Sequence, residues 1–151
     1  MSQMFRSIHP MLVLLAMVLL SSTASSQKLD SKSLTDILSK QGFTGQLYGN
    51  VKVTLTRLGA MKCNAETLQV YYYTGEETNP PGRAIHFSQR LIFIDNREYL
   101  GQYVIADRPT LLRLQTLRFP YSRDDGNTIQ CGQEGLPELV HLDGSDIPLE
   151  R

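Results

Sequence analysis

From Tyr48 onward, apolar and polar residues alternate with a period of two, and turn residues break the alternation at short intervals. That repeat belongs to half-buried β-strands. Val51, Val53 and Leu55 alternate with Lys52, Thr54 and Thr56, in a strand running to about Leu58. Leu68, Val70 and Tyr72 alternate with Gln69, Tyr71 and Tyr73. The loop from Gly75 to Gly82 holds two adjacent prolines and forbids regular structure. Ile85 and Phe87 open a third strand that continues through Leu91-Ile-Phe-Ile94. Asp95-Asn96 and Asp107-Arg108-Pro109 bracket a fourth strand, Tyr99 to Ala106, and Thr110 to Phe119 reads as a fifth. Asp124 to Asn127 is a hairpin signal before Thr128-Ile-Gln-Cys131, and Asp143-Gly144 turns between Leu139–Leu142 and Ile147–Leu149.

Connections this short permit antiparallel hairpins and no parallel crossovers. The expected fold is therefore mainly β: an antiparallel meander of about seven or eight strands, closed into a small barrel or folded into a sandwich, behind one short N-terminal helix. In that helix Ser33 reads as the N-cap, with Asp36 at the capping-box position. Leu34, Ile37 and Leu38 share a face, and Gln41-Gly42 stops the run. A helix of about two turns cannot stand alone and must dock. Leu91-Ile-Phe-Ile94, and Leu111-Leu112 with Leu114, are apolar on both faces, so something must cover the second face. The helix is one candidate and a partner subunit another, which leaves room for a homo-oligomer.

The first 26 residues have a different character. Arg6 gives a positive start, Met11 to Leu20 is an apolar run, and Ser22-Thr-Ala-Ser-Ser26 supplies small residues for cleavage. The run is shorter than the roughly 20 residues a membrane-spanning helix needs. It reads as a cleaved signal peptide, leaving no stable membrane span. The expected organisation is a signal peptide over 1–26, a polar linker and short helix over 27–46, and one β domain over 47–151. The destination is secreted or periplasmic. In an oxidising compartment the only two cysteines, Cys63 and Cys131, read as a disulfide that draws the ends of the meander together.

Arg6 is the only charged side chain before residue 27, so the remainder carries 14 basic and 15 acidic residues. That balance lacks the basic excess of a nucleic-acid binder. No constellation points to catalysis, a metal or a cofactor. His86 and His141 lack partners at ligand spacing, and Asp143-Gly-Ser-Asp146 is not the elbow that exposes a serine nucleophile. Asp124, Asp125 and Asn127, or Asp143 and Asp146, are explained by turn chemistry without calcium. The Tyr71-Tyr72-Tyr73 run, with Tyr99 and Tyr103, offers rigid amphipathic surface. The expectation is a non-catalytic binding protein recognising an extracytoplasmic protein or small ligand through Tyr71, Tyr73, Glu76, Glu77 and Arg83. An apolar-ligand carrier with a barrel cavity is the alternative, although the Gly-x-Trp signature of lipocalin-like carriers is missing from a chain without Trp. A hydrolase using His86 or His141 is the third reading.

Overall fold

The fold is built on a four-stranded antiparallel sheet with an apolar core on each face. The computed structural model describes residues 29–78, 87–113, 115–120 and 127–151. The sheet runs in the order β1 (Val51–Cys63), β2 (Glu66–Glu77), β3 (Phe87–Asp95) and β4 (Glu98–Val104), each hydrogen-bonded to the next. Two smaller antiparallel sheets follow. β5 (Thr110–Leu112), β6 (Thr116–Arg118) and β7 (Thr128–Gln130) form one, and the hairpin β8 (Leu139–Leu142) and β9 (Ser145–Pro148) forms the other. The main sheet does not close into a barrel. The arrangement is sandwich-like, as the second of the two expected forms.

Alternation along the strands sorts side chains onto two cores. Leu68, Val70, Leu91, Phe93 and Tyr103 face the C-terminal sheets, where Leu117, Phe119, Ile129, Val140, Leu142 and Leu149 complete a buried cluster. Phe93 and Tyr103 meet edge to face with ring centroids 5.7 Å apart. Tyr71, Tyr73, Ile92, Ile94 and Tyr99 face the other way, under α1 (Ser31–Lys40), which buries Leu34 and Leu38 against them. The helix is thus the second cover that Leu91-Ile-Phe-Ile94 requires. All four of those residues are fully buried. The disulfide joins Cys63, at the end of β1, to Cys131, just past β7, and so ties the main sheet to the C-terminal layer.

Several local expectations change. β1 continues past Leu58 to Cys63, and β2 continues through Gly75 to Glu77, where a loop was expected, because both segments stay paired in the β1–β2 ladder. Asp30, not Ser33, caps α1: its carboxylate accepts from the Ser33 amide at 2.9 Å and the Ser33 hydroxyl at 2.8 Å. Ser33 lies inside the first turn as a donor, so the helix starts earlier than the capping-box reading places it. The stop is as expected, with Gln41 the C-cap and Gly42 at φ +90°, where a side chain would be strained. The expected fifth strand is a hairpin instead. Arg113 adopts φ +49° and the Gln115 amide donates to the Leu112 carbonyl at 3.1 Å, so Leu111 pairs with Leu117. Leu112 is consequently exposed rather than covered on a second face, and Leu114 lies outside the described residues.

The free edge of β4 is closed by the last residues of the chain. Gln102 and Glu150 exchange two main-chain hydrogen bonds at 2.8 and 2.9 Å. Gly101 allows this approach, since a Cβ there would stand 2.8 Å from the Glu150 carbonyl oxygen and 2.9 Å from Leu149.

Candidate functional site

The C-terminal layer covers the Met61–Cys63 end of β1 and the adjoining parts of β2, β3 and β4. Toward Val51, Glu77 and Phe87 the sheet extends past its cover. Cross-strand register places Lys52 beside Glu76 and Glu76 beside Phe87, with Thr54, Thr74 and Gln89 forming the next row and Tyr72 the one after. These seven residues line an open hollow of about 300 Å³. Phe87 is 64% exposed at its rim. Tyr72 makes the floor, donating its hydroxyl to Gln89 while the Arg108 guanidinium stands 5.5 Å from its ring centre. The hollow thus presents an exposed ring, a cation and an acid within three neighbouring strands. It offers hydrogen-bond donors, acceptors and apolar surface side by side.

A second hollow of about 270 Å³ lies on the helix side of the same end, lined in part by Val51, Gly75, Glu77 and Arg90. Arg90 anchors a polar cluster there. Its Nη1 donates to Thr44 Oγ1 at 3.0 Å and to Glu150 Oε2 at 3.2 Å, and its Nε donates to Ser88 Oγ at 3.2 Å. Gln102, fully buried, donates its amide to Thr44 Oγ1 at 2.7 Å and to Glu150 Oε2 at 2.8 Å. These bonds hold the chain's final residues against β3 and β4. The cluster is a structural tie.

The expected site is only partly assembled. Tyr71 and Tyr73 do not face solvent: they are 3% and 1% exposed, packed under α1 with Ile92 and Ile94. That exposure is corrected: α1 and, beyond it, Phe43 take the face that Tyr71 and Tyr73 share. Tyr73 donates to the Gln46 carbonyl at 2.6 Å, while the Tyr71 hydroxyl is buried without a well-formed hydrogen bond. Glu76 joins the first hollow and Glu77 the second, on opposite faces of β2. Arg83 and His86 lie outside the described residues. Lys52, Phe87 and Gln89 are additions to the expected site, and Tyr72 is the member of the tyrosine run that reaches the hollow. Alternation marks Phe87 as a core residue, and nothing in the sequence says where the cover over its face ends.

The buried tyrosines give a pH signature. Burial pushes the Tyr99 phenol up to about 12, with the Glu150 carboxylate adding to the shift, and raises Tyr103 as well, with Glu138 in the same direction. Burial also raises Tyr71, Tyr72 and Tyr73. The folded state therefore holds these protons more tightly than the unfolded chain. Their stabilisation is complete below about pH 10, the ordinary tyrosine value, and is lost as pH rises toward 12. Tyrosinate absorbance should accordingly lag for these groups and appear together with loss of the near-ultraviolet circular dichroism. Full ionisation at pH 10.5 in a protein that stays folded would contradict the burial.

The acid–base candidates do not converge. His141 Nδ1 lies 2.8 Å from Asp146 Oδ1, but both side chains are about two-thirds exposed. Ser145 pairs with Leu142, one position along, so its side chain is on the opposite face of the hairpin from His141. A hydroxyl placed there cannot pass its proton to this imidazole. The two turns considered for calcium are linked to each other: Asn127 Nδ2 donates to Asp143 Oδ1 at 2.7 Å, with the Asn127 side chain 5% exposed as a whole residue. Asp124 and Asp125 lie outside the described residues. Among the described residues no three His, Cys, Asp or Glu side chains gather as metal ligands, and no helix is long and apolar enough to cross a membrane.

No known family, characterised protein or solved structure matches this chain.

Proposed function

We propose that this chain is an exported, non-catalytic binding protein whose recognition surface is the open hollow of Lys52, Tyr72, Glu76, Phe87 and Gln89. The observation that carries this reading is Phe87, 64% exposed on a sheet face whose other large apolar residues are buried or half-buried. An exposed ring set among charged and amide side chains suits a partner that offers an apolar group flanked by polar ones. The same end of the sheet keeps Glu76 and Glu77 of the expected site and replaces Tyr71 and Tyr73 by Tyr72 and Phe87. Export is supported by the positive start, apolar run and small-residue stretch of residues 1–26, and the Cys63–Cys131 disulfide is compatible with an oxidising compartment.

The test joins two readouts on protein recovered from the cell envelope or medium. Its N-terminus should lie near residue 27. The combined Lys52→Ala, Glu76→Ala and Phe87→Ala variant should keep its stability within about 1 kcal/mol, because none of the three is core. It should lose capture of its native partner from envelope extract. Undiminished capture by this variant would show the surface to be wrongly placed, and an unprocessed N-terminus would remove the export half of the reading.

A further inference from the structure

The two edges of the main sheet are treated differently. The β4 edge is closed by Glu150, as described above. On β1, the Thr78 amide donates to the Asn50 carbonyl at 2.8 Å, in register with the Val51–Glu77 pair that follows. Hydrogen-bonded pairs recur every second residue in an antiparallel ladder, so Lys52, Thr54 and Thr56 turn their main-chain groups toward β2. Val51, Val53, Leu55 and Arg57 then turn theirs outward. Among the described residues no main-chain group pairs with them. The open stretch ends at Arg57, where the β1–β2 register shifts and Leu111 closes over Gly59.

We propose that two copies of this chain join through this edge, β1 against β1, antiparallel about a two-fold axis at Thr54. The pairing sets Val51 opposite Arg57 of the second copy, Lys52 opposite Thr56 and Val53 opposite Leu55. Every outward N–H and C=O from Val51 to Arg57 gains a partner, and no like charges face each other. The half-buried Val51, Val53 and Leu55 of the two copies form one apolar stripe on the helix side. Charge selects the register. Glu77 lies beside Val51 on that same side, so Arg57 of the second copy arrives two strands away, about 10 Å between Cα atoms and within reach of the two long side chains. Arg57 is already held on this face by its Nε and Nη2 bonds to Gln69 Oε1, at 2.8 and 2.6 Å. Moving the axis to Val53 or Leu55 takes Arg57 away from Glu77. An eight-stranded continuous sheet results, with two Arg57–Glu77 pairs.

Mass measured by light scattering on a sizing column decides this. The native protein should run at twice the chain mass. Val53→Pro should run at the single mass with an unchanged circular dichroism spectrum, because the N–H it removes points outward and serves no bond within the chain. Arg57→Glu should weaken dimerisation roughly tenfold by placing acid beside Glu77, and adding Glu77→Arg should restore it. If Val53→Pro does not fold, the charge exchange decides alone. A native protein of single mass at every concentration would overturn the proposal. So would a dimer that survives both Val53→Pro and Arg57→Glu.

Discussion

Replacing Cys63 and Cys131 together by Ser should cost about 4 kcal/mol of unfolding free energy. The bond spans 68 positions, and releasing a loop of that length returns chain entropy to the unfolded state by about this amount. The structure adds a second reason. Cys63 is 5% exposed within the core between the main sheet and the C-terminal layer, so the bridge crosses the interface between the two. The strands of that layer are short, three or four residues each, and make few ladder bonds of their own. Against the 5–15 kcal/mol that is usual for a domain, such a loss leaves little margin. Urea unfolding of the double variant, compared with the native protein, reads the effect directly. A difference below about 1 kcal/mol would mean that the two layers hold together without the bridge.

Leu38→Ala should be comparably damaging, at about 2–5 kcal/mol, for a reason on the opposite face. Ten residues of helix have no independent stability, and α1 is held by what Leu34 and Leu38 bury. Truncating Leu38 opens a cavity in the cluster of Ile92, Ile94 and Tyr99 and loosens the helix that, with Phe43, covers that face. Dye binding to exposed apolar surface should rise along with the fall in stability. Lys40→Ala, on the solvent side of the same helix, should change stability by no more than about 0.5 kcal/mol. Equal effects of the two substitutions would mean that the helix is not docked through Leu38.

These two changes also show where the sequence was readable. The disulfide followed from cysteine number and the expected compartment, and the helix followed from its apolar face. Alternation gave the middle of β1 to β4, but not the end of β1 past Leu58 nor Gly75 to Glu77, which continue β2 where the glycine and the acids suggested a loop. It could not divide Thr110–Phe119, where the turn is made by Arg113 in a left-handed conformation with no Gly, Asn or Pro to announce it. It also could not assign Tyr71 and Tyr73. Period two says that they share a face, but which face is covered depends on where residues distant in sequence come to pack. Phe87 is the converse case. It carries the pattern of a core residue, and only the limited extent of the C-terminal layer leaves it in solvent.

The hollow around Phe87 is the part of the account on which function rests. A photo-crosslinking amino acid at position 87, in protein made in living cells, tests it most directly, with the same group at Leu139 as control. Leu139 is also exposed, at 55%, but lies on the β8–β9 hairpin away from the hollow. Position 87 should give a discrete adduct that is absent from position 139 and is lost when Lys52 and Glu76 are replaced by Ala. Adducts of equal yield from both positions, or none from position 87, would contradict it.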